Sequence, residues 1–209
     1  GKKVGVVTAI TGQRRYNIRL HGEANHAGTT RMCYRHDVVQ VFSQIVTESI
    51  AKANAEGDPL VLTFGHIEVT PNTVNVVPGD AMFTMDCRHT DKDTLVRFSE
   101  EIEADMARIA AEHGADIEID RWMDEDPVPM NPELVAKIEQ VAKDSGANYR
   151  MMHSGAGHDS QVIAPHVPTG MLFVPSVKGI SHNPAEYTEA EDLKAGIDML
   201  GAALYNLAY

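Results

Sequence analysis

Two cysteines in 209 residues are too few for a disulfide scaffold. Cys33 and Cys87 read instead as buried or half-buried thiols of a reducing compartment. Positive charge is also short: eighteen Lys and Arg stand against thirty Asp and Glu, a net charge of −12. That balance excludes nucleic acid and anionic membrane as partners, because either needs concentrated positive charge. A small anionic substrate needs only one or two local arginines. No apolar run approaches about eighteen residues and no signal peptide is recognisable, so the expectation is a soluble, cytoplasmic chain. The first residues, from Lys2 to Ala9, already read as a strand, as expected of a chain cut out of something longer. A last shortage concerns metal ligands. No close His-x-Asp pair followed by Glu-Glu occurs, so the sequence lacks the ligands for a complete metal centre.

What is present is imidazole set among glycines. Three clusters carry it: Gly22-Glu23-Ala24-Asn25-His26-Ala27-Gly28, His153-Ser154-Gly155-Ala156-Gly157-His158-Asp159, and Gly179-Ile180-Ser181-His182-Asn183. Histidine on tightly turning backbone is the combination expected where side-chain chemistry is displayed by a loop.

Periodicity supplies the frame. Tyr16, Ile18 and Leu20 alternate with Arg15, Asn17 and Arg19, a half-solvated strand. Asp37 caps a helix to about Glu56 with Val38, Val41, Phe42 and Ile45 on one side. Leu60 to Thr70 reads as a second strand, Thr73 to Val77 as a short one, and Ala81, Phe83, Met85 and Cys87 as another. Asp93 or Thr94 opens a helix with Leu95, Phe98, Ile102, Met106 and Ile109 in a stripe; Gly114 closes it. Ile117 and Ile119 mark a final short strand. This order predicts an α/β (α+β) chain whose centre is a four-stranded antiparallel sheet with two helices on one face, a ferredoxin-like arrangement. Trp122 to Pro129 reads as an acidic linker. Beyond it, Asn131-Pro132 opens a helix, Thr169 to Val174 reads as a strand buried on both faces, and Leu193, Ile197, Leu200, Leu204 and Leu207 form the stripe of a last helix. This tail needs Lys2 to Ile10 as a sheet partner.

Each candidate residue has two readings on local grounds. His182, in a loop leaving a buried strand, is a metal ligand or a structural histidine bonded to backbone. Glu186 anchors that loop or is solvated. The Gly155 to Gly157 run before His158 and Asp159 exposes amides to an anionic group, or Asp159 merely caps a helix from Ser160. His26 donates to a substrate carbonyl or bonds within its turn to Glu23. Arg88 suits a bidentate grip on a carboxylate and Asn75 an amide-like group. The plainer alternatives are a surface ion pair, with Asp86 on the same face, and a turn bond. Cys87, in phase with Phe83 and Met85, is inert core.

Together, Gly12-Gln13-Arg14, Gly22 to Thr30, Asn72-Thr73-Val74-Asn75-Val76-Val77-Pro78-Gly79, Asp86-Cys87-Arg88-His89, His153 to Asp159 and Gly179 to Pro184 resemble the amidohydrolase branch of the M20-type dinuclear metallopeptidases. That branch contains allantoate amidohydrolases, β-ureidopropionases and N-carbamoyl-L-amino-acid hydrolases. Asp86-Cys87-Arg88-His89-Thr90-Asp91 and Trp122-Met123-Asp124-Glu125, followed by Pro127-Val128-Pro129-Met130, are most similar to the allantoate-hydrolysing members.

The resemblance implies that residues 1–13 are a catalytic-domain strand, 14–123 a dimerisation (lid) domain, and 124–209 the C-terminal part of a metallopeptidase-like catalytic domain. It implies a homodimer, a small ureido carboxylate as substrate, and two manganese or zinc ions in the complete enzyme. His182 matches the last metal ligand, and His26 the histidine that steadies the tetrahedral oxyanion in the partner subunit's site. Asn75 and Arg88 match substrate-binding residues; Gln13, Gly157 and His158 match further substrate contacts. The remaining metal ligands and the glutamate base have no counterpart here, so this polypeptide by itself is expected to hold no ions tightly and to be inactive. A non-catalytic binding fragment is the competing description. Two departures stand out: Arg31 where the family usually has proline, and His36 where it has arginine.

Overall fold

In the computed structural model, which describes residues 1–208, strand β1 (Val4–Ile10) leads through Thr11 into β2 (Gly12–His21). A two-residue β3 (Asn25–His26) and a 3-10 turn at Met32–Tyr34 precede helix α1 (Val38–Glu56). Then come β4 (Val61–Thr63), β5 (Ile67–Thr70), β6 (Val76–Val77) and β7 (Asp80–His89). Helix α2 (Lys92–Glu112) and β8 (Asp116–Glu125) follow. The tail holds β9 (Val128–Pro129), α3 (Pro132–Asp144), β10 (Tyr149–Ser154), the single-turn α4 (Ser160–Ile163), β11 (Met171–Phe173) and α5 (Ala190–Ala208). The chain divides into two compact units, one of Gly12–Asp126 and one of Gly1–Thr11 with the residues from Pro127 onward. Among the described residues no helix is long and apolar enough to cross a membrane.

The Gly12–Asp126 unit is built on antiparallel pairing in the order β4-β7-β2-β8. Period two puts Tyr16, Ile18 and Leu20 of β2 beside Phe83, Met85 and Cys87 of β7 on one fully buried face. The stripes of both helices close over that face: Val38, Val41 and Ile45 from α1, Leu95, Phe98, Ile102, Met106 and Ile109 from α2. Each such large side chain contributes about 1.5–3 kcal/mol by leaving water. The sheet with two helices on one face is therefore as the periodicity predicts. Asp37 caps α1 through the amides of Val39 and Gln40. The cap of α2 is Asp91, two residues before the expected Asp93, because its carboxylate reaches the Thr94 amide at 2.8 Å.

Three local readings change. Leu60 to Thr70 is not one strand: β4 and β5 both lie on β7, but four steps from Thr63 to Ile67 oppose three from Asp86 to Phe83. The extra residue is a bulge that turns Phe64 onto the core beside Phe42 and Phe83. The presumed linker from Trp122 is instead the second half of β8, held to β2 by Arg14 on Asp124 and by Arg15 over the Trp122 ring. Cys33, expected to be sheltered, is exposed in the 3-10 turn.

The two departures from the family pattern are accommodated by the backbone. Arg31 has φ −61, the value proline imposes, so the turn keeps a proline-compatible path without it. His36 donates through Nδ1 to the carbonyl of His113 at 3.0 Å, and Gly114 beside it, at φ +66, leaves no room for a Cβ.

In the second unit β1 is central, parallel to β10 on one side and antiparallel to β11 on the other, with β9 at its end. Val4 and Val6 pack against Ile138, Val141 and Ala142 of α3 and Met199 and Ala203 of α5. Two expectations are corrected. β11 is only three residues and half-buried, not covered on both faces. The leucine stripe of α5 is exposed, Ile197 at 68%, and the helix instead packs through Met199 and the alanines Ala195, Ala202 and Ala203.

Candidate active-site residues

His26 sits on β3, which pairs with β6 through His26↔Val76 and Asn25↔Val77. The next amide, Ala27, donates to the Asn75 carbonyl at 2.9 Å, so this ribbon brings His26 and Asn75 together, both exposed. Arg35 braces the turn from behind, donating to the carbonyls of Ala27 and Thr30. The ring is not bonded to Glu23, which takes the Asn25 side chain instead. Nδ1 of His26 accepts the Gly28 amide at 3.0 Å. An amide can only donate, so in the neutral ring the proton stays on Nε2 and that nitrogen is a donor.

Gln13 and Arg88 are cross-strand partners on β2 and β7. Asp86, two residues before Arg88 and so on the same sheet face, receives its Nε at 2.9 Å and its Nη2 at 2.8 Å. The same carboxylate receives Nε of Arg15 at 2.9 Å. Asp86 thus uses two of the five guanidinium donors of Arg88 and fixes its plane. The hydrogen bond to Asp86 also raises the Arg88 pKa above its ordinary value. Gln13 donates to Glu125 at 2.7 Å, and its Oε1 is the one buried side-chain polar atom without a partner among the described residues.

In the other unit, the cluster from His153 begins on β10 rather than in a loop, and Ser154 at its end is buried. Two amides of the glycine-rich turn are taken up within it. The Ala156 amide bonds to Ser154 Oγ and the His158 amide to Gln161 Oε1. α4 is one turn, and Asp159 at its start makes no side-chain cap bond. The His158 ring lies beside Phe173 at 5.4 Å and against Ser154, lining a cleft of about 710 Å³ with Gly5, Met152 and Glu186.

His182 has φ 55, the left-handed region that a non-glycine residue enters only in a turn. Its amide donates to Glu186 at 2.9 Å, so Glu186 does anchor the loop, by a backbone bond. Among the described residues no three His, Cys, Asp or Glu side chains lie close enough together to hold a metal ion. His182 does not meet the needs of a dinuclear centre with the residues gathered here. Sequence reasoning missed Ser154, Gln161 and Arg35, whose roles depend on contacts rather than on any motif.

The chain matches peptidase family M20/M25/M40 over residues 14–206. It is 57% identical over 209 residues to an allantoate amidohydrolase of Escherichia coli (strain K12), covering all of this chain and 51% of that protein. An allantoate amidohydrolase of Bacillus subtilis (strain 168) is 43% identical with the same coverage. Among solved structures, an amidase of the hydantoinase/carbamoylase family from Burkholderia multivorans superposes with a TM-score of 0.94 at 36% identity, over 98% of this chain and 50% of that one. The chain spans about half the length of the curated relatives it matches. With a match that runs through both units and a shared fold, this chain belongs to peptidase family M20/M25/M40.

Proposed function

We propose that this chain is part of an amidohydrolase that cleaves the ureido group of allantoate, giving ureidoglycine, ammonia and carbon dioxide. The observation that carries the reading is the Gly28 amide on Nδ1 of His26, which leaves Nε2–H as a donor. A donor aimed at an oxygen whose negative charge grows in the transition state accelerates acyl-type hydrolysis. In this reading Arg88, with Asp86 holding its plane, grips the substrate carboxylate, and Asn75, Gln13, Gly157 and His158 contact the ureido acid. Similarity to two allantoate amidohydrolases favours allantoate over an N-carbamoyl amino acid.

His182 contributes one ligand to a metal site of manganese or zinc whose other ligands lie outside this chain. When bound, such ions supply Lewis acidity to the substrate and an activated water. The enzyme acts in the cytoplasm as a homodimer formed through the Gly12–Asp126 unit.

The test is ammonia release by the intact protein, encoded with whatever precedes Gly1, on a panel of allantoate and N-carbamoyl amino acids with manganese or zinc. Allantoate should be the preferred substrate, and His26→Ala should lower kcat by about 100-fold or more. The 209-residue chain by itself should release none. Preference for an N-carbamoyl amino acid, or an unchanged His26→Ala enzyme, overturns the reading.

A further inference from the structure

Ser154 is a buried serine whose hydroxyl faces three polar atoms. Its Oγ lies 2.8 Å from the carbonyl of Ala156, 3.2 Å from the amide of Ala156 and 2.9 Å from Nε2 of His158. A hydroxyl has one proton to give and two lone pairs to receive with. The carbonyl can only accept and the amide can only donate. One arrangement makes all three contacts hydrogen bonds: Oγ–H points to the Ala156 carbonyl, and Oγ accepts from the Ala156 amide and from Nε2–H of His158. Any other leaves the carbonyl without that donor or sets two lone pairs against each other, which is costly beside a buried group.

We propose that Ser154 is a positioning residue that holds neutral His158 in its Nε2–H form, so that Nδ1 is presented as a hydrogen-bond acceptor for an N–H of the substrate's ureido group. No hydrogen bond reaches Nδ1 among the described residues, and that atom is not among the buried polar atoms lacking a partner, so it is open to solvent. Phe173 lies beside the ring at 5.4 Å, and the Gln161 side chain accepts the backbone amide of His158. A ureido group carries N–H donors, which an open imidazole nitrogen can accept. His158, with Nε2 satisfied by Ser154, is left with Nδ1 as its acceptor. An ester or a tertiary amide offers no N–H to such an acceptor, so the arrangement selects for unsubstituted ureido nitrogen.

This assignment rests on the functional reading for its substrate but not for its tautomer, and the experiment separates the two. Long-range proton–nitrogen spectra of the 209-residue chain labelled in histidine, at about pH 8 where an ordinary imidazole is neutral, distinguish Nε2–H from Nδ1–H. His158→Gln assigns the signal. The expected result is Nε2–H at His158 and, in Ser154→Ala, a mixture of both forms. An Nδ1–H signal in the unsubstituted chain, or an unchanged Nε2–H signal in Ser154→Ala, overturns the proposal. In the intact protein, Ser154→Ala should raise the KM for allantoate about fivefold or more with kcat within about twofold, and Ser154→Thr, which keeps the hydroxyl, should restore most of it. Equal kinetics for both variants overturns the substrate half of the assignment. An unsubstituted intact protein that leaves allantoate untouched overturns the functional reading, while the spectra still decide the role of Ser154.

Discussion

Asp86 grips Arg88 side-on, one carboxylate oxygen 2.9 Å from Nε and the other 2.8 Å from Nη2. Strand geometry makes the pair possible: residues two apart on β7 face the same way, and the side chains run alongside each other. Arg15, opposite Asp86 on β2, adds a second guanidinium to the same carboxylate.

Removing the shared anion leaves two arginines facing one another. The side chains are about one-quarter exposed, Arg88 at 24% and Asp86 at 26%, so the cost falls below that of a fully buried pair. Asp86→Asn should lower unfolding stability by about 1–3 kcal/mol, read from urea midpoints at constant slope. A loss that stays within error would show that neither arginine depends on the carboxylate.

The two thiols should behave as opposites. Cys33 is exposed, whereas Cys87 is fully buried and burial pushes its thiol up to about 12. A thiolate is the reactive form. An aromatic disulfide reagent at neutral pH should consume one equivalent quickly, and the second only when denaturant is added. Two fast equivalents in the native protein would contradict the buried position of Cys87.

Tyr16 ties stability to alkaline pH. Burial first, and then its hydrogen bond to Glu103 at 2.7 Å, raise the phenol above its ordinary value of 10.0. The folded state therefore favours the neutral phenol. Its contribution is fully present below the unfolded value of 10.0 and is lost as pH rises from there toward the folded value. Between those limits the loss runs at up to about 1.4 kcal/mol per pH unit. Tyr16→Phe should be less stable at pH 8, through loss of the hydrogen bond, yet decline less steeply above pH 10. Parallel declines for the two proteins would remove Tyr16 as the cause.

What could be read in advance follows one division. Tyr16-Ile18-Leu20 and Leu95-Phe98-Ile102-Met106-Ile109 announced their elements because period two and period 3.6 are set by backbone geometry alone. Asp37 and Asn131 announced helix starts for the same local reason, and both cap as expected. The stretch from Tyr149 to Ser154 announced nothing, since a strand of mixed polarity beside a buried partner shows no alternation. It became a strand because β1 offered it a ladder. Trp122 to Glu125 looked like a linker by charge and pairs with β2, where Arg14 meets the Asp124 carboxylate and Arg15 lies over the Trp122 ring.

By itself the sequence determined the antiparallel core with its two helices, the inert Cys87, and which histidines, asparagine and arginine were candidates for chemistry. Only the tertiary structure decided what those residues can do. Whether an imidazole donates or accepts depends on which ring nitrogen already has a partner, and those partners, Gly28 for His26 and Ser154 for His158, are matters of contact rather than of residue type. A side chain's identity fixes its stock of donors and acceptors. Its neighbours in space determine which of them remain to be used.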